Sequence, residues 1–165
     1  MEVLRSGDAS VAIDPVNGAR LASLRIGDHE LLLGPDEPVG GAMGWGCFPM
    51  IPWAGRIRHG RFVADGTEVE LPLGMPPHAI HGTTYLRSWD VDGPGRFATD
   101  LGDQWPWRGR ATHDVELAHD RLTMTIGVHA GETMPVTAGW HPWFHRTIAG
   151  VDVEIDNPAE RMWRR

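Results

Sequence analysis

Glycine and proline interrupt this sequence so often that no window is left for a long amphipathic helix: 21 Gly and 13 Pro fall among 165 residues. Each Pro removes a backbone donor, and each Gly weakens an element interior. What survives between the breaks has a period of two. In Leu122-Thr123-Met124-Thr125-Ile126-Gly127-Val128-His129, apolar side chains alternate with polar or small ones. That predicts a strand with Leu122, Met124, Ile126 and Val128 on one buried face. Val151, Val153 and Ile155 alternate with Asp152, Glu154 and Asp156 in the same way. Phe62 to Ala64, Asp65-Gly66 and Val69 to Leu71 read as a hairpin, because Asp-Gly supplies the positive φ angles of a tight turn. Leu21 to Ile26 and Glu30 to Leu33, split by Gly27-Asp28, read as another strand pair, and Trp89, Val91, Val115 and Leu117 fit further strands. The Gly/Pro-rich stretches 34–51 and 73–82 read as long loops. Short strands with turn signals between them predict an all-β fold, an antiparallel β-sandwich or barrel. With no repeat or linker, residues 1–165 are expected to form a single domain.

Charge and cysteine usage exclude several classes of function. A net charge of −7 argues against nucleic acid as a partner. No apolar run approaches the ~20 residues that span a bilayer. Met1 to Asp14 lacks the basic start and apolar run of a signal peptide. No membrane partner is expected, and the location read from the sequence is cytoplasmic. Cys47 is the single cysteine, so neither an intrachain disulfide nor a Cys-based zinc site is available. The 9 histidines include pairs at helical spacing, His78 with His81 and His141 with His145. Pro142 directly follows His141, however, and Pro76-Pro77 precede His78, so neither pair belongs in a helix interior. No metal is expected. The sequence has no G-x-S-x-G elbow, and the Gly-rich run 39–46 lacks the lysine and helix of a phosphate loop, so it reads as a mobile loop.

Three segments carry candidate chemistry. The first is Pro49-Met50-Ile51-Pro52-Trp53-Ala54-Gly55-Arg56-Ile57-Arg58-His59-Gly60-Arg61-Phe62. The second is His78-Ala79-Ile80-His81-Gly82, and the third is Thr137-Ala138-Gly139-Trp140-His141-Pro142-Trp143-Phe144. An imidazole titrates near neutrality and can exchange a proton at working pH. A guanidinium such as that of Arg56 offers fixed donors suited to paired hydroxyls. Gly82 lets the backbone turn close beside His81.

In this order and spacing the three segments resemble the aldose 1-epimerase (galactose mutarotase) family, and Gly18-Ala19-Arg20-Leu21-Ala22-Ser23-Leu24 resembles that family's opening strand. The resemblance implies an antiparallel β-sandwich of the galactose mutarotase type, here incomplete. It implies an isomerase that interconverts the α and β anomers of a free hexose by acid/base ring opening, on a small-molecule sugar and without a cofactor. By that resemblance His141 takes the position of the general acid that protonates the ring oxygen. His81 takes that of the second active-site histidine, which binds sugar oxygens and helps set the charge at the ring oxygen. Arg56 takes that of the arginine that reaches the substrate. Arg58 and Arg61 read as solvated strand charges and His78 as a neighbour of the site. One departure is visible: many family members carry Asn where this chain has Gly55.

The family's base is a glutamate close to its C-terminus, with a sugar-binding aspartate between it and the second histidine motif. Glu132, Glu154 and Glu160 stand in the wrong context for that role. The chain is therefore expected to be an N-terminal portion of such a protein, keeping the acid without the base and leaving strand edges open. Two other readings stay open. A non-catalytic carbohydrate-binding β-sandwich could stack pyranose faces on Trp45, Trp53, Trp89, Trp140 or Trp143. A sugar-phosphate epimerase-like protein could use Arg58, Arg87 or Arg146. Neither the preferred sugar nor the oligomeric state is readable from these residues.

Overall fold

The computed structural model describes residues 1–37, 39, 41–119 and 121–156. Glu160 and the basic tail 161–165 lie outside them. Apart from a 3-10 turn at Gly41–Met43, the described residues form strands and connections without a helix. The strands are β1 (Glu2–Ser6), β2 (Ala9–Asp14), β3 (Arg20–Ile26), β4 (His29–Glu30), β5 (Cys47–Met50), β6 (Arg56–Arg58), β7 (Arg61–Ala64) and β8 (Thr67–Glu70). They continue with β9 (His78–Ile80), β10 (Asp90–Val91), β11 (Arg96–Asp100), β12 (Gly109–Ala118), β13 (Arg121–Ala130), β14 (Gly139–Pro142), β15 (Thr147–Ile148) and β16 (Val151–Asp152).

Turn chemistry sets the hairpins where the sequence predicts them. β3 and β4 pair up to Ile26↔His29 around Gly27-Asp28. β7 and β8 close at Ala64↔Thr67, and both central residues, Asp65 (φ 47°) and Gly66 (φ 77°), have the positive φ of a two-residue turn. The longest pair, β12 with β13, keeps register from Gly109↔Ala130 to Ala118↔Arg121.

Two antiparallel sheets make the sandwich. One runs β1-β2-β3-β5-β14, with β4 on β3, and the other runs β10-β11-β12-β13. Alternate residues from both sheets fill the space between them: Val11, Ile13 and Leu21 from the first, Phe97, Ala111 and Val115 from the second, all essentially inaccessible to water. Burial of this interlocked apolar surface is what holds the two sheets together.

Three expectations change. The stretches 34–51 and 73–82 are not simply loops, because they contain β5 and β9. All four residues of β5 are buried, so it offers no polar alternation to detect. β5 meets β3 only at Leu21↔Cys47, so Pro49 falls outside that pairing. Next, Leu122, Met124, Ile126 and Val128 do share a face, but they are half-buried, since β13 is the last strand of its sheet among the described residues. Finally, Val151 is 70% and Ile155 68% exposed, and β16 stops at Asp152. That alternation marks no buried face, because its ribbon pairs only with β15.

Candidate active site

β14 pairs along its whole length with β5: Gly139↔Met50, Trp140↔Pro49, His141↔Phe48 and Pro142↔Cys47. Successive side chains on a strand leave opposite faces, so Trp140 and His141 point apart. Trp140 turns inward, where its Nε1–H donates to His113 Nε2 at 3.2 Å. That bond leaves the His113 proton on Nδ1, which donates to the Ala19 carbonyl at 3.0 Å. His141 turns the other way, onto the face of its register partner. Its ring stacks on Phe48 at 5.0 Å and 11°, and on Trp143, two residues on, at 5.3 Å and 20°.

The second motif delivers His81 to the same face. β9 pairs with β6 at Arg56↔Ile80, which brings Gly55 opposite His81. The His81 backbone N–H donates to the Gly55 carbonyl (3.0 Å), and the Gly55 N–H donates to His81 Nδ1 (3.3 Å). The His81 proton therefore sits on Nε2. The backbone at His81 is left-handed (φ 58°), and Gly82 continues at φ 82°. A Cβ at Gly82 would run into the Ile51 carbonyl, so only glycine lets this corner pack against the first motif. The His81 and His141 rings then meet edge to face, 4.9 Å apart at 78°. Gly55 has φ 78°, a conformation that glycine and asparagine both adopt readily, which accounts for the departure at that position.

Burial shapes the electrostatics. It pushes His81 down to about 4, helped by positive charge on His141 and then on Arg56. Burial also lowers His141, against a partial opposing pull from its own backbone carbonyl. Nδ1 of His141 and Nε1 of Trp143 are both buried without a hydrogen-bond partner. Two unsatisfied polar atoms on adjoining rings mark a place where hydrogen bonding is not closed within the protein. Arg56 is exposed beside it, its guanidinium donating to Met75 Sδ at 3.4 Å.

Residues 56, 81 and 141 thus converge from three separate segments. Others proposed from the sequence do not. Trp45, Trp53 and Trp89 are 9%, 7% and 4% exposed, which makes them core side chains and not a sugar platform. Trp143 is the one that lies on the His141 ring. Arg58 and Arg61 are exposed, and Arg61 pairs with Glu70 at 3.2 Å. His78 sits along the ribbon, where its Nδ1 accepts the His59 N–H at 3.2 Å. Glu132 and Glu154 are exposed. Among the described residues no three His, Cys, Asp or Glu side chains gather into a metal-binding group. Likewise none of their helices is long and apolar enough to cross a membrane. Sequence reasoning missed Phe48 and Arg20, which back this site, and His113, which anchors its strand.

Residues 3–160 match the family model for aldose 1-epimerase. The chain is 32% identical over 124 residues to YphB, an uncharacterised protein of Escherichia coli K12, covering 71% of this chain and 43% of that one. The crystal structure of a candidate aldose 1-epimerase from Escherichia coli K12 is similar at 26% identity and TM-score 0.74, over 87% of this chain and 51% of its own. A galactose mutarotase-like protein from Lactobacillus casei ATCC 334 shares the fold at 16% identity and TM-score 0.71, over 87% of this chain and 49% of its own. This chain spans about half the length of the proteins it matches.

Proposed function

Because this chain belongs to the aldose 1-epimerase family, we propose that its paired-histidine site binds a free aldose and supplies the acid side of anomer interconversion. The observation that carries this reading is the meeting of two distant histidine motifs, His81 and His141 in edge-to-face contact, with Arg56 on the strand that pairs beside His81.

The chemistry needs no redox change. A base takes the proton of the C1 hydroxyl as the bond from C1 to the ring oxygen breaks and that oxygen gains a proton. The open-chain aldehyde turns about the C1–C2 bond. The hydroxyl then adds back to its other face, with the proton transfers reversed. The two imidazoles divide the work by environment. Burial keeps His81 neutral, and positive charge on His141 adds to that. His141 is then the donor to the ring oxygen, and its lowered pKa makes it a stronger acid once protonated. His81, neutral with its proton on Nε2, donates a hydrogen bond to sugar oxygens. Arg56 holds hydroxyls with a forked donor set. No residue of this chain is assigned the base.

The core shared by both sheets supports treating residues 1–165 as one domain. The single buried thiol of Cys47 fits a cytoplasmic setting. A second reading, a sugar-binding module without turnover, is favoured by one feature: Trp143 presents a ring beside an imidazole, with no carboxylate assigned to act on C1.

Polarimetry of freshly dissolved α-D-glucose and α-D-galactose in low buffer separates the two. Interconversion above that of the His141→Asn variant is the expected result, slower than a complete acid–base pair would give because the chain holds the acid without an assigned base. If the two rates match while the folded protein still binds sugar, the module reading replaces the enzymatic one.

A further inference from the structure

Arg20 has no part in the reaction above, yet it heads the fully buried side chains by size and is 0% exposed. Its guanidinium donates to four backbone carbonyls: Asn17 at 2.8 Å, Ala42 at 3.0 Å, Trp45 at 3.2 Å and Tyr85 at 3.4 Å. Among the described residues the ion pairs are Arg25 with Glu30 and Arg61 with Glu70. The Arg20 charge is therefore held by carbonyl dipoles and aromatic rings, with longer-range support from the Asp14 carboxylate. Burial pushes its pKa down to about 10, so it stays a cation near neutrality.

A guanidinium so placed is costly to desolvate, and an apolar side chain of similar size would fill the same volume. What it gains is a flat contact. Its central carbon lies 4.2 Å from the Trp45 ring centre and 5.1 Å from that of Phe48. Phe48 is the ring on which His141 stacks, and its edge also meets His81 at 6.0 Å. A continuous column runs Trp45, Arg20, Phe48, His141, Trp143.

We propose that Arg20 is a positioning residue for His141: it locks the Phe48 ring from behind, so that the imidazole is held at a single tilt. The guanidinium acts in two ways. It lies against the Phe48 ring as a cation on a π face. Its fork also ties the backbone at Ala42, Trp45 and Tyr85 into one unit around that ring. A lysine would keep the charge but would offer neither the flat face nor the fork. The role in turnover rests on the epimerase reading; the role in holding the imidazole does not.

The test reads both. In NMR spectra the His141 ring protons, identified by their loss in His141→Asn, carry the ring-current shift of a sandwiched imidazole. In Arg20→Met, and to a lesser degree in Arg20→Lys, these signals are expected to move toward exposed-histidine values. In the same proteins kcat for mutarotation is expected to fall about tenfold or more with KM held, as a misaligned donor should behave. Val11→Ala, a core truncation of the sandwich away from the column, lowers stability and is expected to change neither readout. His141 shifts in Arg20→Met that match those of Val11→Ala overturn the proposal. If Arg20→Met does not fold, Arg20→Lys is judged by the same shifts, and signals there that match those of Val11→Ala overturn it equally. A wild-type protein without mutarotase activity removes the epimerase reading but leaves the chemical-shift result to decide the positioning role.

Discussion

Two buried histidines lie back to back across β14, and they are buried in different ways. His113 sits between the sheets at 0% exposure, with both ring nitrogens bonded, one to the Ala19 carbonyl and one to the Trp140 indole. His141, one residue beyond Trp140, is half-buried between two aromatic rings, and its Nδ1 has no partner. Burial lowers the pKa of both. A depressed pKa therefore does not separate a site from a core. For these two imidazoles the hydrogen bonds do, because a closed set of partners leaves His113 nothing to do but hold its neighbours, while the open Nδ1 of His141 can bind and exchange protons.

The largest effect expected from this contrast is kinetic. His141→Asn should return mutarotation to the buffer background while the melting temperature moves little, read by polarimetry beside calorimetry. A large drop in melting temperature would place His141 with His113 as a structural group. The counterpart is His113→Ala, which strands the Trp140 donor and the Ala19 acceptor and opens a cavity. It should destabilise by about 3–5 kcal/mol in urea unfolding, with the sugar site intact in whatever fraction stays folded. A loss under about 1 kcal/mol would mean that the inter-sheet bonds are dispensable.

Acid sharpens the same comparison. His113 and His81 are both lowered from 6.5 to about 4. The unfolded chain thus binds protons that the folded one refuses. The stability from these groups is fully present above 6.5 and is lost as pH falls from 6.5 toward about 4. Unfolding free energy measured across that window should decline with acid, and His113→Gln should flatten the decline. Stability that rises on acidification would reverse the assignment. A smaller effect is expected at the rim: Arg56→Lys should raise KM about tenfold with kcat nearly held, because a point charge replaces a fork. The smallest is Gly55→Asn, expected within about 0.5 kcal/mol of the parent, since asparagine tolerates the left-handed backbone there. A clear loss would show that the Gly55–His81 pair demands glycine.

Much of this was legible in the residues themselves. Gly27-Asp28 and Asp65-Gly66 announce two hairpins because positive φ is a local steric preference, indifferent to what packs nearby. His81, His141 and Arg56 were found through motifs whose Gly and Pro neighbours limit the backbone. β5 was hidden, because a strand buried throughout shows no alternation. The tryptophans misled for a related reason: aromatic content does not say which face of a chain meets water, and Trp45, Trp53 and Trp89 went inward. The face spanning Val151, Val153 and Ile155 carried the right period, but Val151 and Ile155 stay exposed and only Val153 is partly buried.

The sequence by itself determined an all-β chain and its tight turns, and its resemblance to the family nominated two imidazoles and a guanidinium for the proposed site. The turns depend on interactions between residues a few positions apart. Only the tertiary structure decided that His113 would be sealed and His141 left open, that Phe48 would stand behind the imidazole, and that a cation, Arg20, would stand behind Phe48. Those outcomes join residues 20, 48, 85, 113 and 141 across two sheets. Burial and hydrogen-bond closure at such distances are properties of the packed whole, which no local pattern carries.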